Sequence, residues 1–284
     1  MKILHLTSGD VSGEMIRESS LEGEVFVWHD LVYEGKRNVG WPTDETLQQR
    51  VTMLVEHSGA AMKPDGVLNT LRIQYEFIQK IEVWDEIYLW FDACLFDMSM
   101  LCHLIACIES TDLNLVVVDS YPAIEPFHGL GQLTPEQLAS CVDRKQPVTV
   151  EMIRYAKQVD EAFATQDREA FEKLAKAKGV PLRWVPAAVK RWLEEFPSKE
   201  TGLGRLEQMA LEAIREGHSS PGSIFKAVAA KETPPQYWGD TSLWGKINGL
   251  TEKEPPLVKI EGPAGRLPQW QSNLDWKQFK VIAV

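Results

Sequence analysis

Residues 3–13, ILHLTSGDVSG, place a short apolar strand directly before a turn with two glycines and the start of a helix. The strand runs into Ser8, Gly9 and Asp10, and Ser12 lies where the helix would begin. Units of this kind build open α/β sheets, which bind ligands in the crevice at the carboxyl ends of their strands. This stretch therefore predicts an α/β fold and indicates the edge at which a site would lie.

Three more apolar runs continue the pattern. Residues 25–28 (VFVW) end at His29-Asp30, residues 87–90 (IYLW) end at Phe91-Asp92, and residues 115–118 (LVVV) end at Asp119. Continuous apolar strands separated by helical segments are typical of a parallel sheet that is covered on both faces. The sequence predicts a small flavodoxin-like or Rossmann-like sheet of four parallel strands within about the first 120 residues.

The rest of the chain reads as mostly helical. Residues 1–125 are predicted to form the α/β domain, 126–200 a helical connecting region, and 201–284 a C-terminal domain. In the last of these, three short helices precede a strand at 257–260, which is the order found in a winged helix. The apolar run at 279–283 is either the partner of that strand or a strand of the main sheet.

Composition narrows the class of protein. The formal net charge is −11, and residues 200–262 carry seven Lys and Arg against nine Asp and Glu. Because a nucleic-acid binder needs positive charge, binding to nucleic acid is not expected. No apolar run has the roughly 18 residues of a membrane helix, and the amino terminus does not resemble a secretory signal. We therefore expect a cytoplasmic protein without membrane contact, and Cys94, Cys102 and Cys107, in or beside an apolar helix pattern, are expected to be buried thiols.

The candidate site consists of residues at or just past the predicted strand ends. The predicted ligand-binding residues are Ser8, Gly9, Asp10, Ser12, Asp30, Trp90, Asp92 and Asp97. The turn after the first strand offers backbone N–H groups to a ligand, but no lysine follows it as in a phosphate-binding loop. The competing interpretation is that Asp10 or Ser12 only caps the helix.

Acidic side chains dominate the predicted edge. Asp10, Asp30 and Asp92 would supply the oxygen ligands that a hard cation prefers, and magnesium is the cation considered. In the strand order 2-1-3-4, Asp10 and Asp92 would be neighbours, with Asp30 on the flank. Alternatively, each carboxylate points into solvent from its own loop. His29 beside Asp30 is either a general base or a structural residue.

Several of these segments resemble a bacterial family catalogued as domain of unknown function 1835. The similarity lies in Gly9-Asp10, in residues 27–31 (VWHDL) with Glu34-Gly35, in residues 89–91 and 95–97, and in residues 129–133 (GLGQL). Residues 195–197 and 202–205 resemble an associated C-terminal domain. The resemblance implies an α/β front half and a helical rear, and it transfers no catalytic residue. Where that family often carries a histidine after an acidic residue, this chain has Ala93.

Two functions from different classes follow from these patterns. The first is binding of a small polar ligand, nucleotide-like or with a metal-bridged phosphate, in the strand-end crevice. The alternative is a regulatory protein whose winged-helix-like region contacts a protein partner or a second copy of the chain. The sequence contains no nucleophile motif that would assign a reaction.

Overall fold

The computed structural model describes residues 1–270 and 274–284, and it is built around a mostly parallel sheet. The strand order is β2-β1-β3-β4-β5, and the first four strands are parallel. The strands are β1 (Ile3–Ser8), β2 (Glu24–Trp28), β3 (Glu86–Asp92), β4 (Leu113–Val118) and β5 (Gln146–Pro147). The predicted α/β class and flavodoxin-like order are confirmed. The short antiparallel strand β5 was not predicted, and it lies in the segment 126–200 that was predicted as a helical connecting region.

Successive residues of each strand point to opposite faces of the sheet, and helices cover both faces, so both sets of side chains are buried. Tyr88 and Trp90 pack towards α1 (Asp10–Glu18) and α5 (Pro135–Ser140). Leu89 and Phe91 belong to the larger core on the other face, which includes residues of α2 (Asp44–His57), α3 (Pro64–Ile78) and α4 (Leu95–Ile108). Helix α4 is buried on nearly all sides, as its apolar sequence predicts.

The middle of the chain adds α6 (Val150–Thr165), α7 (Arg168–Lys176) and α8 (Val185–Leu193). Thr149 and Asp167 cap α6 and α7 through their side chains. Helix α8 begins at Val185. Pro186 lies in its first turn, where the missing N–H of proline has no helical partner to lose.

The C-terminal region contains α9 (Arg205–Arg215), α10 (Pro221–Lys231) and α11 (Asp240–Thr251), followed by β6 (Val258–Glu261) and β7 (Lys280–Ala283). The last two strands pair with each other in antiparallel fashion, so β7 is not a strand of the main sheet. The winged-helix assignment stays a prediction. Leu206 and Leu250 belong to the same buried core as the sheet residues Leu4 and Leu89. None of the helices within the described ranges has the length and apolar character required to cross a bilayer.

Candidate functional site

The carboxyl ends of β1 and β3 meet in a cluster of buried hydrogen bonds. The Ser8 hydroxyl donates to Oδ1 of Asp97, and the backbone N–H of Asp92 donates to Oδ2 of Asp97 at 2.6 Å. Oδ1 of Asp92 accepts from the N–H of Cys94 at 2.9 Å. Cys94 is also the N-cap of α4, and its sulfur accepts from the N–H of Asp97. These contacts attach the start of α4 to the ends of both strands.

A later segment of the chain covers this point of the sheet. A β-carbon added at Gly129 would lie 2.5 Å from Oδ2 of Asp92, and one added at Gly131 would lie 3.8 Å from Val11 of α1. Leu130 is buried in the core on the α1 side of the sheet. Gly129 therefore lies against the carboxyl end of β3, beside the crevice where the strand order predicts a ligand.

This cluster is the group of residues to compare with the ligands that a magnesium ion would need. Within residues 1–270 and 274–284, only Asp92, Cys94 and Asp97 form a group of three possible metal ligands, with ligand atoms within 4.8 Å of one another. Burial raises the pKa of all three groups, and the Asp92 charge further raises the pKa of Asp97. The carboxylate oxygens already accept internal hydrogen bonds, and a protonated thiol is a poor ligand for a hard cation. The donor set therefore does not fit magnesium.

The predicted cation site of Asp10, Asp30 and Asp92 is wrong, because each carboxylate has a different partner. Oδ1 of Asp10 lies 2.9 Å from Nε2 of His29. Asp30 is buried and accepts from the guanidinium of Arg50 and, at 2.7 Å, from its neighbour's backbone N–H. Each of these carboxylates is therefore satisfied separately, by a basic side chain or by a backbone N–H group. The sequence pattern could not reveal that Arg50, on α2, reaches back to β2.

Two further predicted site residues, Trp90 and Ser12, are buried in the fold. Trp90 is fully buried and donates its indole N–H to Nδ1 of His5 at 2.9 Å, so it offers no face to a ligand. Helix α1 begins after Gly9, whose φ of 72° suits glycine, and no side chain caps it. The interpretation of Asp10 or Ser12 as a helix cap is therefore wrong, and Ser12 is buried within α1.

A large cavity opens beside this edge, on the β2 side of the sheet. Its volume is about 640 Å³, and Gly9, His29 and Asp30 contribute to its wall. Helices α2, α3 and α4 supply the apolar residues Leu54, Val67, Leu71 and Phe96, and Met62 comes from the connection between α2 and α3. The amino-terminal turn of α11 closes the far side with Thr241 and Ser242. We call this space the edge cavity; it contains two of the eight predicted site residues.

Among the residues that line the edge cavity, His29 is the one best suited to acid–base chemistry. Its backbone N–H donates to Oε1 of Gln74 at 2.6 Å, and its carbonyl accepts from the amide of the same side chain at 3.1 Å. The ring is held by Asp10, so an aspartate orients an imidazole at the cavity wall. The sequence suggested a pair of His29 with Asp30. The observed partner is Asp10, which follows the neighbouring strand β1.

A buried network that the sequence did not indicate holds the loop after β2. The Arg37 guanidinium donates to Oδ1 of Asp160 at 2.6 Å, and the Gly40 N–H donates to Oδ2 at 2.9 Å. His103 Nδ1 donates to the same carboxylate at 2.9 Å, and its Nε2 is hydrogen-bonded to the Tyr75 hydroxyl at 2.7 Å. The network joins this loop to α3, α4 and α6.

Comparison with known proteins adds no relative. No protein-family model matches the chain, and a search of curated proteins finds no match either. The resemblance to the domain of unknown function 1835 family therefore stays a prediction.

Proposed function

We propose that the protein binds a small, nucleotide-like metabolite in the edge cavity. The observation that carries this proposal is the cavity's position: it opens at the carboxyl ends of β1 and β2, and its wall includes Gly9, His29 and Asp30. Its volume of about 640 Å³ lies in the range of small-molecule sites, which is roughly 300–1,000 Å³.

The lining suits a ligand with an apolar ring and a polar substituent. Leu54, Val67, Leu71 and Phe96 offer an apolar wall for the ring. His29, Lys63, Thr70 and Thr241 line the same space and offer polar atoms. Small-molecule sites commonly combine a mostly apolar surface with a few polar groups that fix orientation. Because Asp92 and Asp97 are engaged in internal hydrogen bonds, the proposal does not include a metal-bridged phosphate.

Gly66 allows a direct test. It lines the edge cavity within α3, and a β-carbon there would meet no atom within 4 Å. Phenylalanine is also a better helix former than glycine. Gly66→Phe should therefore occupy the cavity without harming the fold. Gly222→Phe is the matched control, because Gly222 lies in the first turn of α10, is exposed, and has the same open surroundings.

The measurement is thermal unfolding with a panel of nucleosides and nucleotides. A ligand that binds only the folded state at 100 times its Kd should stabilise the protein by about 2.7 kcal/mol. We expect at least one member to raise the Tm of the wild type and of Gly222→Phe, and to act at least about tenfold more weakly on Gly66→Phe. The proposal fails if no member stabilises the wild type, or if both variants respond equally.

A further inference from the structure

A second cavity, of about 380 Å³, lies between the loop after β2 and the C-terminal helices. We call it the inner cavity. Its wall includes Tyr33 from the loop, Trp192 and Glu195 from the end of α8, and Tyr237, which precedes α11. It shares His57 and Ser242 with the edge cavity, so these two residues lie at the boundary between the two spaces.

The charges beside the inner cavity do not balance. Arg191 lies 2.6 Å from Glu195 and 2.9 Å from Glu232, and Arg205 lies 2.6 Å from Glu194 and 3.4 Å from Glu232. Three carboxylates are thus paired with two guanidinium groups, which leaves one negative charge without a cation in the cluster. Two of the three carboxylates, Glu195 and Glu232, are buried, and buried charge is costly unless it is paired. Glu195 is the member that faces the cavity.

The rest of the wall does not supply the missing cation. Glu56 and Glu252 line the cavity together with Lys246 and Arg266, two acids against two bases, so the described residues of the wall hold no surplus cation for Glu195. Glu34 already has a partner in His57, whose Nδ1 lies 3.4 Å from its carboxylate.

Two polar atoms of the wall are buried and have no hydrogen-bond partner among the described residues. They are Oε2 of Glu195 and Nε1 of Trp192. The Glu195 side chain is only 3% exposed, and its other oxygen accepts from Arg191. The Tyr237 hydroxyl lies beside this carboxylate: burial, and then the charge of Glu195 and its interaction with the hydroxyl, raise the pKa of Tyr237. Buried donors and acceptors are nearly always satisfied, so a missing acceptor and a missing donor on one cavity indicate a ligand that has both.

We propose that the inner cavity binds a small organic cation of the amino-alcohol class. Its ammonium group would donate to Oε2 of Glu195 and supply the missing positive charge. Its oxygen would accept from Nε1 of Trp192, and the rings of Tyr33 and Tyr237 would flank the cation. This site is separate from the one proposed in the edge cavity, and either can be absent without affecting the other.

The test uses ethanolamine, propanolamine and butanolamine as probes, with the diols of equal length as neutral controls. Binding to the full chain is measured by calorimetric titration. We expect at least one amino alcohol to bind the wild type, and its matching diol to bind at least about tenfold more weakly, because a charged hydrogen bond is lost. Equal binding of the diol, or no binding of any amino alcohol, would overturn the proposal. In the latter case the Tyr237 hydroxyl satisfies Glu195 in solution.

Variants identify the site. Glu195→Gln should weaken the amino alcohol at least about tenfold, whereas Glu252→Gln, an equal charge change at an exposed residue of the same wall, should change binding less than about threefold. Trp192→Phe keeps a ring and removes the N–H; it should weaken amino alcohols more than the alkylamines of equal length. This variant decides the matter if Glu195→Gln does not fold. Equal binding by Trp192→Phe and wild type would place the probe elsewhere.

Discussion

Oδ2 of Asp92 lies so close to Gly129 that a β-carbon at that glycine would approach it to 2.5 Å. This contact joins the carboxyl end of β3 to a segment 37 positions later in the chain, as the residue numbers show. It leaves no room for a side chain at Gly129 beside Asp92, whereas the edge cavity opens on the β2 side of the sheet.

Gly129→Ala should destabilise the protein by about 2 kcal/mol or more, because the φ of 146° disfavours a side chain and the new methyl group would collide with Asp92. Urea unfolding measures the change. Gly131→Ala is the control, since its β-carbon would meet only Val11, at 3.8 Å, and it should cost less than about 1 kcal/mol. Equal effects of the two substitutions would contradict the close approach.

Asp160→Asn should cost about 3–5 kcal/mol, because Arg37 would be left as a buried charge without its partner. Burial alone would raise the pKa of Asp160, but His103 and Arg37 outweigh it and hold that pKa well below its usual range. A depressed carboxyl pKa stabilises the fold above the unfolded-state pKa of about 3.9, and this stability is lost as the pH falls below it. The unfolding free energy measured from pH 7 to pH 3 should therefore fall less steeply in the variant than in the wild type.

Asp44→Asn serves as the control for that experiment. Its carboxylate is 87% exposed and lies 3.4 Å from Arg72, so its loss should cost less than about 1 kcal/mol. A wild-type acid profile that Asp160→Asn leaves unchanged would show that the network does not determine the acid sensitivity of the fold.

The sequence predicted the strands well because each is a continuous run of β-branched, aromatic or leucine residues whose burial needs no knowledge of distant contacts. The strand order followed from that pattern and from general topology. The site was predicted less well. Asp10, Asp30 and Asp92 all lie at or just past the ends of their strands, but their surroundings are set by residues such as Arg50 and Gly129, which only the folded chain brings near. Local sequence shows where a carboxylate lies along a strand, and it cannot show what neutralises it.

Ser8→Ala should destabilise the protein by about 1–3 kcal/mol, because Asp97 would lose the hydroxyl that donates to its Oδ1. Burial, and then the charge of Asp92, raise the pKa of Asp97, and the Ser8 hydrogen bond partly opposes this rise. A raised carboxyl pKa makes the fold less stable as the pH rises from about 3.9 towards the folded-state pKa. Removing Ser8 should raise that pKa further and steepen this loss.

Carboxyl carbon NMR titration would measure the pKa of Asp97, and urea unfolding would measure the stability. Ser99→Ala is the control, since this fully buried serine donates only to the Phe96 carbonyl within its own helix. A lower Asp97 pKa in Ser8→Ala than in the wild type would contradict the role assigned to the hydroxyl.

Asp10→Asn tests whether the Asp10–His29 pair serves the edge cavity. The Asp10 side chain is 77% exposed and caps no helix, so its replacement should change the unfolding free energy by less than about 1 kcal/mol. If a ligand contacts His29, the loss of the carboxylate that orients the ring should weaken a nucleotide-like ligand several-fold, measured by the ligand-dependent shift in Tm. Glu14→Gln removes an equal charge from the exposed face of α1 and should leave that shift unchanged. A destabilised Asp10→Asn protein with an unaltered ligand response would mean that the pair is structural, and His29 would then have no role in binding.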